Sequence, residues 1–161
     1  MRTVLVGAAL IFSSFQLFAS NATAFSFAGF SLGMSRAEAD AVRPEIAWKE
    51  VMRGTPSEAV RKEFPSRHLG HEAIVTVDLS PSRAKVGAIG FEFRTPTDQQ
   101  CIREAVETLV ELRGLYGNEV ELYDHGPSKA ARWMTANGTS IRWIEVCAVG
   151  AQRYVVTYVK D

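Results

Sequence analysis

Apolar and polar residues alternate along two neighbouring stretches in the middle of the chain. Residues 73–79 and 86–94 place apolar side chains at every second position. A period of two predicts β-strands with one buried face. Ser80-Pro81-Ser82 lies between the two stretches and has the composition of a turn. The two stretches therefore predict an antiparallel hairpin.

After this hairpin the pattern changes to the period of a helix. Thr95-Pro96-Thr97-Asp98 has the residue types of a helix start. Apolar residues then recur three or four positions apart, which predicts a buried side made of Ile102, Ala105, Val106, Leu109 and Val110. Gly114 and Gly117 bracket the predicted C-terminus. We expect one long helix that lies across a sheet.

Two further signals predict short helices. Ser35-Arg36-Ala37-Glu38 fits a capping box, in which the Ser35 hydroxyl and the Glu38 carboxylate each accept a backbone N–H. Pro44 limits the length of this helix. Thr55-Pro56-Ser57-Glu58 gives a similar signal with proline at the first helical position. It predicts a second short helix over residues 56–64, ended by Pro65.

The C-terminal part of the chain is rich in strand patterns. Four of them follow the long helix, at residues 119–123, 130–135, 140–148 and 153–159. Asn137-Gly138 is a strong hairpin signal because both residues tolerate positive φ. The order is helix then strands, twice, over 35–94 and 95–159. Short connections predict the α+β class: an antiparallel sheet with one long and one or two short helices on one face.

The first 24 residues have the features of a secretory signal peptide. Arg2 precedes a long apolar stretch, and the small residues of Ala22-Thr23-Ala24 follow it. Cleavage after Ala24 would leave residues 25–161 as a single domain in the periplasm or outside the cell. The alternative is a retained membrane anchor, but Ser13, Ser14 and Gln16 interrupt the apolar stretch. We expect no transmembrane segment after removal of the leader.

Composition and charge narrow the classes of partner. The chain has 161 residues, 47% of them hydrophobic, as expected for one folded domain and not for a disordered chain. It has 18 basic and 18 acidic residues. It therefore lacks the basic excess of nucleic-acid-binding proteins, and we expect no nucleic-acid partner.

The predicted export of the chain bears on the oxidation state of its two cysteines. Cys101 and Cys147 both lie after the leader, and exported chains meet oxidising conditions. A disulfide between the long helix and a late strand is the leading prediction. Two buried free thiols are the alternative. A redox-active pair is disfavoured because the chain has no Cys-x-x-Cys motif.

Candidate catalytic chemistry is confined to one polar cluster. His68, His71 and Glu72 are residue types that bind zinc or copper, with Asp124 or His125 as a distant further ligand. The alternative is a solvated loop, because the spacing matches no known closed metal site. No phosphate-binding glycine loop occurs in the sequence. The sequence favours a non-catalytic protein without a cofactor over a metal-binding or hydrolytic enzyme.

Aromatic and arginine residues of the last strands form a second candidate site. Trp133 and Tyr154 with Arg132 and Arg142 are residue types found at protein-binding hot spots. We predict that these four residues form a binding surface, because alternation leaves some of the aromatic side chains outside the core. In the alternative, Trp143 and Tyr158 fill the core and the arginines cover the sheet edges.

Two motifs resemble small exported bacterial domains. Gly33-Met34-Ser35-Arg36-Ala37-Glu38 is similar to the helix start of the outer-membrane-assembly lipoproteins and of the secreted β-lactamase inhibitor proteins, which have a related fold. Leu115-Tyr116-Gly117, followed by Trp133, Trp143 and Tyr158, is similar to the half of other periplasmic proteins in which a helix ends in Tyr-Gly and aromatic strands follow. The resemblance implies an envelope-accessory or inhibitor domain that binds a protein partner through its sheet. It leaves the oligomeric state open.

Overall fold

The computed structural model describes residues 24–51, 59–124, 126 and 128–160, and most of them form one antiparallel sheet. Its eight strands are β3 (Lys49–Val51), β4 (Ala59–His68), β5 (His71–Leu79), β6 (Val86–Arg94), β7 (Glu121–Asp124), β8 (Lys129–Met134), β9 (Thr139–Val146) and β10 (Arg153–Lys160). The helices are α1 (Arg36–Val42) and α2 (Asp98–Tyr116), and a small separate hairpin consists of β1 (Ser26–Phe27) and β2 (Phe30–Ser31). The predicted α+β class is confirmed.

The strand order divides the large sheet into two halves that meet at its centre. From edge to edge the order is β3-β4-β5-β6-β10-β9-β8-β7. Each half has one helix followed by four strands in the sequence, α1 with β3 to β6 and α2 with β7 to β10. The last strands of the two halves pair with each other, and Phe91 lies opposite Val156. Both halves therefore run from an outer edge of the sheet to its centre.

Helix α1 is attached to the sheet by a buried lysine. The Nζ atom of Lys62 on β4 donates hydrogen bonds to the carbonyl oxygens of Ala39 and Arg43, at 3.3 and 2.8 Å. These carbonyls lie at the end of α1, where helix carbonyls have no partner within the helix. Lys62 thus satisfies the helix end and holds it against β4.

Helix α2 packs on the same face of the sheet as α1. The Thr108 hydroxyl hydrogen-bonds the hydroxyl of Tyr154 at 3.4 Å. Strand pairing places Lys62 in one row with Val77, Ile89 and Tyr158, and Tyr158 shares a face with Tyr154 because both lie at even spacing on β10. We call the opposite face, which carries Thr76, Thr157 and Arg142, the open face. No described helix covers it.

The capping box predicted at the start of α1 is present. The backbone N–H of Ser35 donates to the Glu38 carboxylate at 2.9 Å, and the Glu38 N–H donates to the Ser35 hydroxyl at 3.3 Å. Helix α1 ends at Val42, two residues before Pro44, as expected from the effect of proline on the residues before it.

Helix α2 is present as predicted, but its buried side agrees with the prediction only at Ala105, which is buried, and Leu109, which is partly buried against the core. Ile102, Val106 and Val110 are exposed by 43, 46 and 60%. The buried side consists of Cys101, Ala105, Thr108 and Leu112. The disulfide at Cys101 and the hydrogen bond at Thr108 fix this rotation. Hydrophobicity alone does not predict this rotation, because a cysteine and a threonine occupy buried positions while an isoleucine and two valines are exposed.

The helix predicted over residues 56–64 is wrong from residue 59 onward. Residues 59–68 form β4, and residues 52–58, with the capping motif, lie outside the described residues. Val60, Lys62 and Phe64 are buried at every second position, which is a strand period. Pro65 is tolerated because β3 pairs only with residues 59–61, so at Pro65 the outer side of β4 has no strand partner among the described residues.

The segment before α1 belongs to the core. Phe25, the first residue after the predicted cleavage point, stacks on Tyr158 with ring centroids 3.6 Å apart. Phe30 is fully buried and packs near Phe64. Residues 1–23 of the predicted leader lie outside the described residues. Of the helices in the described ranges, neither is long and apolar enough to cross a membrane.

Candidate functional site

A disulfide joins the first turn of α2 to the residue that follows β9. Cys101 and Cys147 are 46 positions apart in the sequence, and their Cα atoms lie 5.5 Å apart. Both residues are fully buried, and no free cysteine occurs among the described residues. The predicted disulfide is confirmed, and the alternative of two free thiols is wrong. The bond fixes α2 on the sheet half that carries the predicted binding residues.

The predicted binding surface is wrong for its two aromatic members. Trp133 is 1% exposed and Tyr154 is 0% exposed, so both lie in the core under the helices. The Tyr154 ring stacks on Phe93 with centroids 4.4 Å apart. Trp143 and Tyr158 are buried too, because even spacing along β8, β9 and β10 puts all four rings on the helix-covered face. The alternative is confirmed for the Trp143 and Tyr158 rings, which fill the core, but its arginines lie on inner strands and not at the sheet edges.

The two arginines of the predicted surface lie on the open face, side by side. Arg132 on β8 is directly opposite Arg142 on β9. The Arg132 Nη1 atom donates to the Glu121 carboxylate at 3.2 Å, while its Nε atom is buried without a hydrogen-bond partner. Arg142 is exposed and makes no hydrogen bond or ion pair within the described part of the chain. Of these two neighbouring cations, only Arg132 contacts a carboxylate.

The other arginines near the middle of the open face have carboxylate partners. Arg61 binds Asp78 through two hydrogen bonds of 2.7 and 2.9 Å, and this contact raises the pKa of the Arg61 guanidinium. Arg94 contacts Glu92 at 2.6 Å, and Arg153 lies 3.9 Å from the same carboxylate. Arg142 differs from these neighbours in its lack of a partner.

An apolar row runs beside the arginine pair on the open face. Val155, Ile144, Ala130 and Tyr123 lie opposite one another across β10, β9, β8 and β7. Ile144 is 41% exposed and Tyr123 45% exposed. The parallel row is Thr157, Arg142, Arg132 and Glu121. This corner of the sheet therefore presents apolar and cationic side chains next to each other.

The open face has two cavities, one over the central strands and one beside the arginine pair. A cavity of about 580 Å³ runs over the central strands, and Arg61, Glu92, Arg142 and Thr157 are among its lining residues. A second hollow of about 230 Å³ is lined by residues that include Tyr123, Arg132, Arg142 and Ile144. Arg142 lines both hollows, so it lies where they meet.

The three predicted metal ligands do not converge. The His68 ring stacks on Phe91 with centroids 3.7 Å apart, and its Nε2 atom lies 3.3 Å from the Tyr158 hydroxyl. The Nδ1 atom of His71 is 3.6 Å from the Glu104 carboxylate on α2. Glu72 pairs with Arg67 in the row on the open face, away from both histidines.

The distant ligands predicted for this site do not approach it either. Asp124 belongs to β7, the edge strand six positions from β4 in the sheet, and His125 lies outside the described residues. Within the described ranges, no group of three histidine, cysteine, aspartate or glutamate side chains is placed to hold a metal ion. The His68 and His71 side chains have packing roles in this fold.

Burial of His68 makes the stability of the fold depend on pH. Burial lowers the pKa of His68 from 6.5 to about 4. Between these values the unfolded chain binds a proton that the folded chain excludes, so stability is full above pH 6.5 and falls toward pH 4. We expect this contribution to fall by at most about 1.4 kcal/mol per pH unit.

Urea unfolding of the wild type and of His68→Phe at pH 7.5, 5.5 and 4.5 measures this contribution. The phenylalanine keeps an aromatic ring against Phe91 and cannot be protonated. The difference in free energy of unfolding between the two proteins should move in favour of His68→Phe as the pH falls. A difference that stays constant over this range contradicts the assignment.

Sequence reasoning missed the residue that attaches α1 to the sheet. Lys62 is 1% exposed, lies 3.7 Å from the Asp40 carboxylate and stands over the Trp48 ring at 5.2 Å. The signal that could have identified it is its place between Val60 and Phe64 in a strand period. The capping motif at residues 55–58 conceals this signal because it favours a helix over the same residues.

No family model, curated protein or solved structure matches the chain. The resemblance to exported bacterial domains therefore stays a prediction.

Proposed function

We propose that this protein is a non-catalytic protein-binding domain of the cell envelope and that it binds its partner through the open face. The observation that supports this proposal is the asymmetry of the sheet. One face is covered by α1 and α2 in the described structure, whereas the other presents a hollow of about 580 Å³ that leads to an unpartnered arginine. Concave surfaces with exposed apolar and arginine side chains are typical of binding sites.

The proposed location outside the cytoplasm is supported by the disulfide. Cys101 and Cys147 form a buried bond, and such bonds persist in oxidising compartments. The apolar leader over residues 1–24, which the sequence predicts to be cleaved, points in the same direction. Periplasmic and secreted locations are both consistent with these two features.

Site-specific photocross-linking tests the proposed binding face. A photoreactive phenylalanine analogue replaces Ile144, which is exposed on the open face, or Val110, which is exposed on the outer side of α2. Both are aliphatic positions outside the core, so the two proteins should fold alike. We expect cross-linking in the cell envelope of the source organism to give one discrete adduct from position 144 and none from position 110.

Competition with unmodified protein and mass spectrometry of the adduct determine whether the adduct is specific. An excess of unmodified protein should suppress the adduct at position 144, because a saturable partner has a limited number of sites. Mass spectrometry should identify the same partner in repeated captures. Equal adducts from both positions, or an adduct that unmodified protein does not suppress, would contradict binding through the open face.

A further inference from the structure

We infer that the Arg132–Arg142 pair binds a carboxylate on an acidic and apolar segment of the protein partner. This inference rests on the proposed function, since it names the chemistry that the open face recognises. It begins from the charge balance around Arg142. Like charges that lie directly opposite in an antiparallel sheet destabilise it, and Arg132 and Arg142 have this arrangement.

Among the described residues, the side chains that surround Arg142 in the register of the open face carry no negative charge. Its second cross-strand neighbour, Thr157 on β10, is uncharged. The remaining side chains around it in the sheet register are also uncharged: Ser140, Ile144, Ala130, Met134, Val155 and Val159. The nearest carboxylate in the row, on Glu121, already accepts two hydrogen bonds from Arg132, at 3.2 and 3.3 Å. The pair therefore carries an excess positive charge that an external carboxylate would neutralise.

Hydrogen-bond donors at the pair are also unused. The Nε atom of Arg132 is buried without a partner, and a buried unpartnered donor costs free energy. The guanidinium of Arg142 has no partner among the described residues. A guanidinium binds a carboxylate through two parallel hydrogen bonds, which are short and strong because both groups are charged. One carboxylate placed over the pair would bind the exposed guanidinium of Arg142, which lines the hollow.

The apolar row identifies the rest of the ligand. Arg142 and Ile144 are two residues apart on β9 and project from the same face, so their Cα atoms are about 7 Å apart. An extended segment has the same repeat, so an acidic residue and an apolar residue two positions apart in the partner match them. Ile144 and Tyr123 are exposed and would contact the apolar side chain. A free phosphate would use the arginines alone, and for this reason we favour a protein segment.

Two tripeptides measure the contribution of the carboxylate to binding separately from that of the apolar side chain. The probes are acetyl-Glu-Ala-Leu-amide and acetyl-Gln-Ala-Leu-amide, which differ only in the carboxylate, and inorganic phosphate is the third probe. Titrations followed by NMR of the arginine Nε–H groups and the backbone amides give the affinities. We expect the glutamate peptide to bind roughly tenfold more tightly than the glutamine peptide. It should shift the signals of Arg132, Arg142 and Ile144 together.

Arg142→Gln should abolish this preference for the glutamate peptide. The matched control is Arg103→Gln, which removes an exposed arginine from α2 and should leave the preference intact. Because Arg142 is exposed and its charge lies opposite that of Arg132, its replacement should not lower the melting temperature. Equal affinity for the two peptides, a preference that survives Arg142→Gln, or phosphate binding as tight as that of the glutamate peptide would overturn the inference.

The same variant distinguishes this inference from the proposed function. Arg142→Gln is combined with the photoreactive residue at position 144. Loss of the specific adduct supports both proposals. An unchanged adduct would mean that the partner binds the open face without using the arginine pair, so the inference fails while the proposed function stands. Absence of a specific adduct in the parent protein counts against the proposed function itself.

Discussion

The Cys101→Ala/Cys147→Ala variant is expected to be about 4 kcal/mol less stable to unfolding than the wild type, on the loop-entropy model. The disulfide closes a loop between residues 46 positions apart, so the unfolded chain loses much of its freedom when the bond is present. Alanine is preferred to serine because both positions are fully buried and a hydroxyl there would need a partner. Urea unfolding monitored by circular dichroism measures the difference.

Reduction of the wild-type protein provides the matched control. Reduced wild type and the double-alanine variant should show similar unfolding midpoints, because both lack the covalent link. A thiol-alkylation assay on native, unreduced protein should find no reactive cysteine. A double variant as stable as the oxidised wild type, or two alkylatable thiols in native material, would contradict a stabilising role for the bond.

The order of helices and strands along the chain could largely be predicted from the sequence, because strand periods and helix caps are local signals. The hairpin of β5 and β6 and the start of α2 at Thr97 follow directly from residue patterns. The repeated order of helix then strands placed the two cysteines in the second half. What the pattern did not contain is how the halves join, with β6 against β10 at the centre of the sheet.

Errors arose where a local signal competed with tertiary contacts. A capping motif before residue 59 suggested a helix, but burial of Val60 and Phe64 on the sheet and the contact of Lys62 with α1 require a strand there. Propensity is a weak prior that such packing overrides. On α2, a disulfide and a threonine hydroxyl decided the rotation, and neither interaction leaves a trace in hydrophobic periodicity.

Only part of the candidate site could be predicted from the sequence, because the site depends on tertiary contacts as well as on local patterns. Alternation on β8 separates Trp133 from Arg132, so neighbouring residues of the sequence face opposite sides of the sheet. The residue types of a hot spot were therefore present in the sequence, but they divide between the core and the open face. Arg132 and Arg142 meet because of the β8–β9 register, which the Asn137-Gly138 turn predicts as a hairpin without giving the pairing of each residue.

Trp133→Ala is expected to lower the free energy of unfolding by about 3–5 kcal/mol, as found for buried aromatic residues. The side chain is 1% exposed, and its indole N–H donates to the carbonyl oxygen of Gly117 at 2.9 Å. Gly117 caps α2 with a φ of 78°, so the indole links β8 to the end of that helix. Removal of the ring leaves a cavity in the core and removes the hydrogen bond to the Gly117 carbonyl oxygen at the end of α2.

Met134→Ala is the matched control, because Met134 is the next residue of β8 but lies on the open face with 41% exposure. It should change stability by less than about 0.5 kcal/mol. Trp133→Phe, which keeps a ring but loses the N–H donor, should give an intermediate loss and keep the protein folded if the alanine variant does not fold. If Trp133→Ala were as stable as Met134→Ala, Trp133 would belong to the surface after all. If it is destabilised as expected, any loss of partner binding by this variant reports on folding, and the arginines of the open face are the residues with which to measure recognition.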